Sequence, residues 1–230
     1  MIKAIITDIE GTTSSLSFVK ECLFPYARAH VGEFLQENVT NETVQQLLAD
    51  LNSEVGKELD LEQAITQLIQ WIDEDKKITP LKSLQGLIWE SGYKRGELTG
   101  HLYADAIRNL QMWKAEGFDL YVYSSGSVYA QKLLFAHTEV GDLTPLFSGY
   151  FDTHIGGKQE CNSYENIVAH IGLPAEQLLF LSDIEAELDA AQAAGLQTIW
   201  LIRDDALQTD ATHWQVPDFD SIELERFGYE

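Results

Sequence analysis

Residues 2–7, IKAIIT, form an apolar run too short for a helix and broken only by Lys3, and they stop on Asp8 and Glu10 with Gly11 directly behind. A run of that length without alternation reads as a parallel strand covered on both faces. Parallel strands need crossover connections, normally helices, so this stretch commits the chain to an α/β fold. It also marks a place for chemistry, because in open α/β sheets the ligand crevice lies outside the strands' carboxyl ends. A carboxylate pair there repels itself unless a cation or a substrate proton resolves the repulsion. The same acids could serve only as a capping turn that binds backbone amides, and the stretch by itself does not separate the two roles.

After Thr13 the periodicity turns helical. Phe18, Val19, Cys22, Leu23, Tyr26, Ala27, Val31, Phe34 and Leu35 recur at helical spacing, with Pro25 a kink or break inside the run. Asn41 opens a second helix, and Asp60 with Gln63 three residues on forms a capping-box pattern for a third. Thr79 and Pro80 start a fourth, which runs into the glycine-punctuated stretch 92–100. Four amphipathic helices without a strand between them predict a small bundle. Inserted directly after the acidic turn, the bundle is expected to hang over the sheet's carboxyl edge as a cap that excludes water.

From Ala104 strands and helices alternate: strands at 120–123, 150–153, 178–181 and 198–202, helices at 107–113, 128–137, 164–171 and 185–194. The tail from Arg203 is acidic and loosely patterned. The expected fold is therefore α/β, a Rossmann-like parallel sheet core (1–15 and 104–230) with an inserted helical-bundle cap domain (16–103) after the first strand.

Charge and cysteine content narrow the function. With 37 acidic against 15 basic residues the net charge is −22, which argues against nucleic acid or an anionic membrane as a partner. An anionic small substrate would need a local cation. No apolar run approaches the roughly 20 residues of a membrane span, and Met1 leads straight into a strand. Cys22 and Cys161 are too few for a disulfide framework. These features predict a cytoplasmic protein, and with no long exposed apolar stripe left over, a monomer.

If the sheet is parallel, four signals meet at one edge: Asp8 with Glu10, Ser124 with Ser125, Lys158 in a Gly-Gly-Lys turn, and Asp183. Acids gathered there need a hard cation, and Mg²⁺ suits one or two carboxylates plus a phosphate oxygen. Serine hydroxyls, the following backbone amides and Lys158 can hold a phosphate. The set describes a phosphoryl site.

These ordered motifs resemble those of the haloacid dehalogenase superfamily: DIEGTT the first, Ser124 the second, Lys158 the third and SDIEAELD the fourth. The resemblance covers the whole chain and implies that Asp8 is the nucleophile of an aspartyl-phosphate mechanism. It implies Glu10 as the acid that protonates the leaving alkoxide and then activates water, and one Mg²⁺ held by Asp8, Glu10 and Asp183. Most phosphatases of the superfamily carry aspartate where this chain has Glu10. That departure, together with YSSGS, GGK, FLSD, LKSLQGLIWESGYKRGEL and AELDAAQAAG, resembles the enolase-phosphatase branch of methionine salvage. The branch implies a substrate, 2,3-diketo-5-methylthiopentyl-1-phosphate, that is enolised and then dephosphorylated to 1,2-dihydroxy-3-keto-5-methylthiopentene. It also implies substrate binding by Ser124, Ser125 and Lys158; the enolisation base does not follow from the sequence, and Glu10 is the candidate because it lies beside the substrate and must move protons in the second step anyway. A capped phosphatase without enolase activity is the alternative. A phosphorylated receiver module is disfavoured, because a general base beside the phosphoaspartate would hasten its hydrolysis.

Other residues read as structural. Glu187, four past Asp183, could support the site's acids from behind but reads rather as part of a solvated helix face, and Lys82, Lys94 and Arg95, which could meet the substrate's phosphate or carbonyls, read rather as surface charges. Trp89 and Tyr93 read as core, and His154 as structural.

Overall fold

The computed structural model describes residues 1–203 and 205–228. The chain forms two compact units, Met1–Leu16 with Gly100–Glu230, and Ser17–Thr99. The sequence places the return to the sheet unit at residue 104; the structure places it at Gly100. The reason is hydrogen bonding, since Gly100 N–H donates to the His137 carbonyl (2.7 Å) and Tyr103 N–H to the Thr13 carbonyl (2.9 Å).

Strand β1 (Ala4–Thr7) is buried at every position, as a parallel strand covered on both faces must be. In the helical unit, a π-helical segment, Phe18–Leu23, leads into α1 (Phe24–Glu37). Pro25 lies in the first turn of α1, where its missing N–H costs nothing; the expected kink is thus a change of helix type at the entrance. Asn41 caps α2 (Glu42–Val55), its Oδ1 accepting from the N–H groups of Thr43 (2.9 Å) and Val44 (3.3 Å). Asp60 and Gln63 close the capping box of α3 (Leu61–Asp73). Helix α4 (Thr79–Arg95) passes through Gly92 and ends at Gly96 in the left-handed region. The four helices bury one cluster that includes Leu35, Leu51, Leu68, Trp71 and Leu84. Trp89 packs against it, with its Nε1–H donating to the Leu23 carbonyl at 2.8 Å.

The sheet unit continues with α5 (Ala104–Ala115), β2 (Asp119–Tyr123), α6 (Val128–Ala136), β3 (Phe147–Phe151), α7 (Cys161–Ile171), β4 (Leu178–Ser182), α8 (Glu185–Ala193), β5 (Gln197–Leu201) and β6 (Trp214–Val216). All six strands are parallel, in the order β3-β2-β1-β4-β5-β6. Two expectations change. Strand β3 begins three residues earlier than the apolar pattern suggests, so Asp152 lies just past its end. The loosely patterned tail contributes a sixth strand, whose three residues, Trp214–Val216, pair with Ile199–Leu201 and are too few to carry a period. Ile6, Tyr123, Tyr164, Phe180 and Leu188 meet in one buried cluster between sheet and helices. At about 1.5–3 kcal/mol for each fully buried large side chain, such a cluster holds the strand ends rigidly in place. Among the described residues no helix is long and apolar enough to cross a membrane.

Candidate active site

The turn after β1 is built from main-chain bonds. Asp8 N–H donates to the Leu181 carbonyl (2.9 Å), carrying the β1–β4 ladder one residue past the strand. The N–H groups of Thr12 (3.2 Å) and Ser14 (2.8 Å) both donate to the Ile9 carbonyl, and Gly11 N–H donates to Ser14 (2.8 Å). The Thr13 hydroxyl donates to the Asp8 carbonyl at 3.1 Å. Gly11 has φ +74° and lies so close to the Asp183 carboxylate that a Cβ would collide with it, so the position requires glycine twice over. Asp8 and Asp183, 175 residues apart, are thereby brought to one turn. The Thr12 hydroxyl lies 3.5 Å from Asp183 Oδ1.

Lys158 completes this cluster. Its side chain is 6% exposed, and its Nζ lies 2.7 Å from Asp8 Oδ1 and 2.6 Å from Glu187 Oε2. Its loop is pinned by three hydroxyls that donate to successive carbonyls, Tyr123 to Gly156 (2.9 Å), Ser163 to Gly157 (2.8 Å) and Tyr164 to Lys158 (2.7 Å). Glu187, expected on a solvated face, is instead buried; it accepts from the Ser182 hydroxyl at 2.9 Å as well as from Lys158. One turn of α8 carries it inward, and the lysine that draws it in is remote in sequence. Asp152 was not singled out by the sequence. Its carboxylate accepts from Val128 N–H at the start of α6 (3.0 Å) and from His154 N–H (2.9 Å) and Nδ1 (2.7 Å), while the His154 ring itself is exposed.

Burial and charge oppose each other here. Burial works against the Lys158 ammonium, but Asp8 and Glu187 outweigh it and hold the group above its ordinary value. Burial pushes the Glu187 carboxyl up despite the lysine. Burial, reinforced by the charge of Asp8, raises Asp183 to about 7. The cluster therefore holds more negative charge than one lysine balances.

Ser124 is buried, its N–H donating to the Phe151 carbonyl (3.2 Å) and its hydroxyl oxygen accepting from Gly126 N–H (3.3 Å). The cap of α6 is Ser127, which accepts from Ala130 N–H (3.2 Å), so neither Ser124 nor Ser125 is needed for capping. Ser125 is exposed and Glu10 half-buried. All of these lie just beyond the carboxyl ends of parallel strands, at one edge of the sheet.

The donor set is hard oxygen. Among the described residues no three His, Cys, Asp or Glu side chains converge into a ready-made metal cage. Two neighbouring carboxylates, one of them raised by burial and by the charge of the other, suit Mg²⁺, which keeps several waters and takes one or two protein carboxylates.

A model of haloacid dehalogenase-like hydrolases matches residues 2–195. An enolase-phosphatase E1 of Methylococcus capsulatus is 57% identical over 98% of this chain and 99% of its own. One from Serratia proteamaculans is 53% identical over 99% and 100%. Among solved structures, the UTR4 protein of Saccharomyces cerevisiae superposes with a TM-score of 0.83 at 33% identity, covering 96% of this chain and all of that one. An L-2-haloacid dehalogenase of Xanthobacter autotrophicus shares the fold at a TM-score of 0.59 and 18% identity. A sheet edge that brings a strand-end aspartate, a buried lysine and a second aspartate together, in a chain matched along most of its length, leaves one assignment: the protein belongs to the haloacid dehalogenase-like hydrolase family.

Proposed function

We propose that the chain is an enolase-phosphatase that enolises 2,3-diketo-5-methylthiopentyl-1-phosphate and then removes its phosphate. The observation that carries this reading is the contact of Asp8 Oδ1 with the buried Lys158 ammonium at 2.7 Å, in a chain more than half identical, nearly end to end, to an enolase-phosphatase E1. Lys158 holds one Asp8 oxygen and leaves Oδ2 to attack phosphorus. The P–O bond to the substrate's C1 oxygen breaks, Glu10 delivers a proton to that oxygen, and an aspartyl-phosphate remains on Asp8. Glu10, now a carboxylate, takes a proton from water as the water attacks phosphorus, freeing phosphate and Asp8. Ser124 and Ser125 donate hydroxyls to the phosphoryl oxygens, and Lys158 offsets their charge.

Asp8, Asp183 and Glu10 would hold one Mg²⁺, which when bound neutralises phosphoryl charge and polarises a substrate carbonyl. Enolisation precedes hydrolysis: the Glu10 carboxylate takes the carbon-bound proton while the adjacent carbonyl oxygen takes one from solvent water to become the enol hydroxyl, which leaves Glu10 protonated for the phosphoryl step. The helical unit Ser17–Thr99 is read as the cap of this enzyme.

Borohydride reduction during turnover tests the nucleophile. It is expected to convert residue 8 to homoserine, seen by peptide mass, only when substrate and Mg²⁺ are both present. Label at any other carboxylate, or none under saturating turnover, would refute Asp8 as the nucleophile.

A further inference from the structure

A second largely buried cation of the sheet unit, Arg203, lies two residues past the end of β5; its side chain is 8% exposed. Nothing in the phosphoryl-transfer steps uses it. Its Nε and Nη2 both donate to the main-chain carbonyl of Thr12, at 3.0 and 2.6 Å, and its Nη1 donates to Asp105 Oδ2 at 2.6 Å. Asp105 Oδ2 also accepts from Phe219 N–H at 2.9 Å. The guanidinium lies 4.1 Å from the centre of the Tyr103 ring and 5.3 Å from that of Phe219. Carboxylate and rings together fix the plane of the fork, so its grip on Thr12 is preset.

Where that grip falls decides its role. Thr12 sits between Gly11, whose backbone lies against the Asp183 carboxylate, and Thr13, whose hydroxyl binds the Asp8 carbonyl. A clamp on the Thr12 carbonyl therefore fixes the one turn that spaces Asp8 from Asp183. If Arg203 served only to attach the tail, its bonds could end anywhere on the sheet; two of its three end on this carbonyl.

We infer that Arg203 is a positioning residue, which acts through the Thr12 carbonyl to hold the Gly11–Thr12 turn against Asp183 and so sets the spacing of the two carboxylates that face phosphate and Mg²⁺. The inference rests on the proposed function for its catalytic consequence, but not for its effect on the carboxylate pair. Displacement of a reacting group by about 1 Å can cost about 100-fold in rate, and loss of a residue that orients a metal ligand typically costs about 10–100-fold in affinity or activity.

The test compares wild type, Arg203→Met and Arg203→Lys by steady-state kinetics on the diketo phosphate and by Mg²⁺ calorimetry on substrate-free protein. Arg203→Met is expected to lower kcat about 10–100-fold and weaken Mg²⁺ binding by a similar factor, with KM for the diketo phosphate within about threefold. Arg203→Lys, which keeps the charge but not the fork, should fall between. Asp105→Asn keeps the arginine and loosens its plane; it should show the same pattern at smaller size, and it carries the test if Arg203→Met does not fold. A lowered melting temperature with kcat and Mg²⁺ affinity within twofold of wild type would overturn the inference and make Arg203 a staple for the tail. Wild type that releases no phosphate, alongside weakened Mg²⁺ binding in Arg203→Met, would instead sink the proposed function and leave the positioning role standing.

Discussion

Both units carry exposed ion pairs, Arg108–Asp220 in the sheet unit as well as Arg28–Asp73 in the helical one, but among the described residues only the sheet unit also buries them. In the sheet unit Lys158, Asp8 and Glu187 have side chains 6%, 7% and 10% exposed, and Arg203 pairs with Asp105 almost as deeply. In the helical unit the ion pairs lie outside. Arg28 and Asp73 are both about half exposed, and Arg95–Glu97 and Lys94–Glu90 run along the surface. Burying an ion pair is a poor way to gain stability, because desolvation offsets the Coulombic attraction, whereas an exposed pair costs little and contributes little. A chain with net charge −22 could have left all its lysines in water. Keeping Lys158 dry between two acids makes sense where a fixed charge must meet a reacting group, and perturbed titration clusters at such places.

The sharpest way to break this contrast is to neutralise Lys158. Lys158→Met leaves Asp8 and Glu187 buried without their cation and should destabilise the protein by about 3–5 kcal/mol in urea unfolding while abolishing phosphate release. Adding Glu187→Met to it should recover much of the stability and none of the activity. Recovery of both would mean the cluster is structural.

Next in size is a pH effect. Asp183 titrates at about 7 in the folded protein, against about 3.9 for an ordinary aspartate, so between those values the native state binds the proton more tightly than the unfolded chain. Its contribution to stability therefore falls as pH rises from about 4 to 7 and levels off above. In chelator, melting temperature against pH should fall across that window more steeply in wild type than in Asp183→Asn. Saturating Mg²⁺ at pH 8 should raise the wild-type value and leave the variant nearly unchanged. Parallel curves for the two proteins would place the strain elsewhere.

The smallest effect belongs to the helical unit. Arg28→Ala removes a two-bond contact with Asp73, at 2.6 and 3.0 Å, yet should cost under about 1 kcal/mol and fade in high salt. A cost as large as that of Lys158→Met would erase the distinction between the units.

What the sequence made legible follows the same division between local and distant causes. Asn41 and the Asp60–Gln63 box were readable because a cap is closed by residues two or three positions away. Gly11 and Gly156 were readable as turns, but that each also makes room for a side chain, Asp183 and Ser163, emerges only once the strands are side by side. Glu187 was misread because its periodicity is that of any α8 surface residue and its partner comes from another loop. Arg203 gave no signal at all: the carbonyl it holds lies 191 residues upstream, and backbone acceptors leave no mark in a sequence.

The central claim is that this buried edge performs two separable reactions. A paired assay on the diketo phosphate with Mg²⁺, following enol absorbance and released phosphate together in wild type and Asp8→Asn, tests it most directly. The account predicts that wild type forms the enol and frees phosphate, while Asp8→Asn accumulates an enol phosphate and frees none. Phosphate release from simple esters by a wild type that never forms the enol would contradict it, as would undiminished phosphate release by Asp8→Asn.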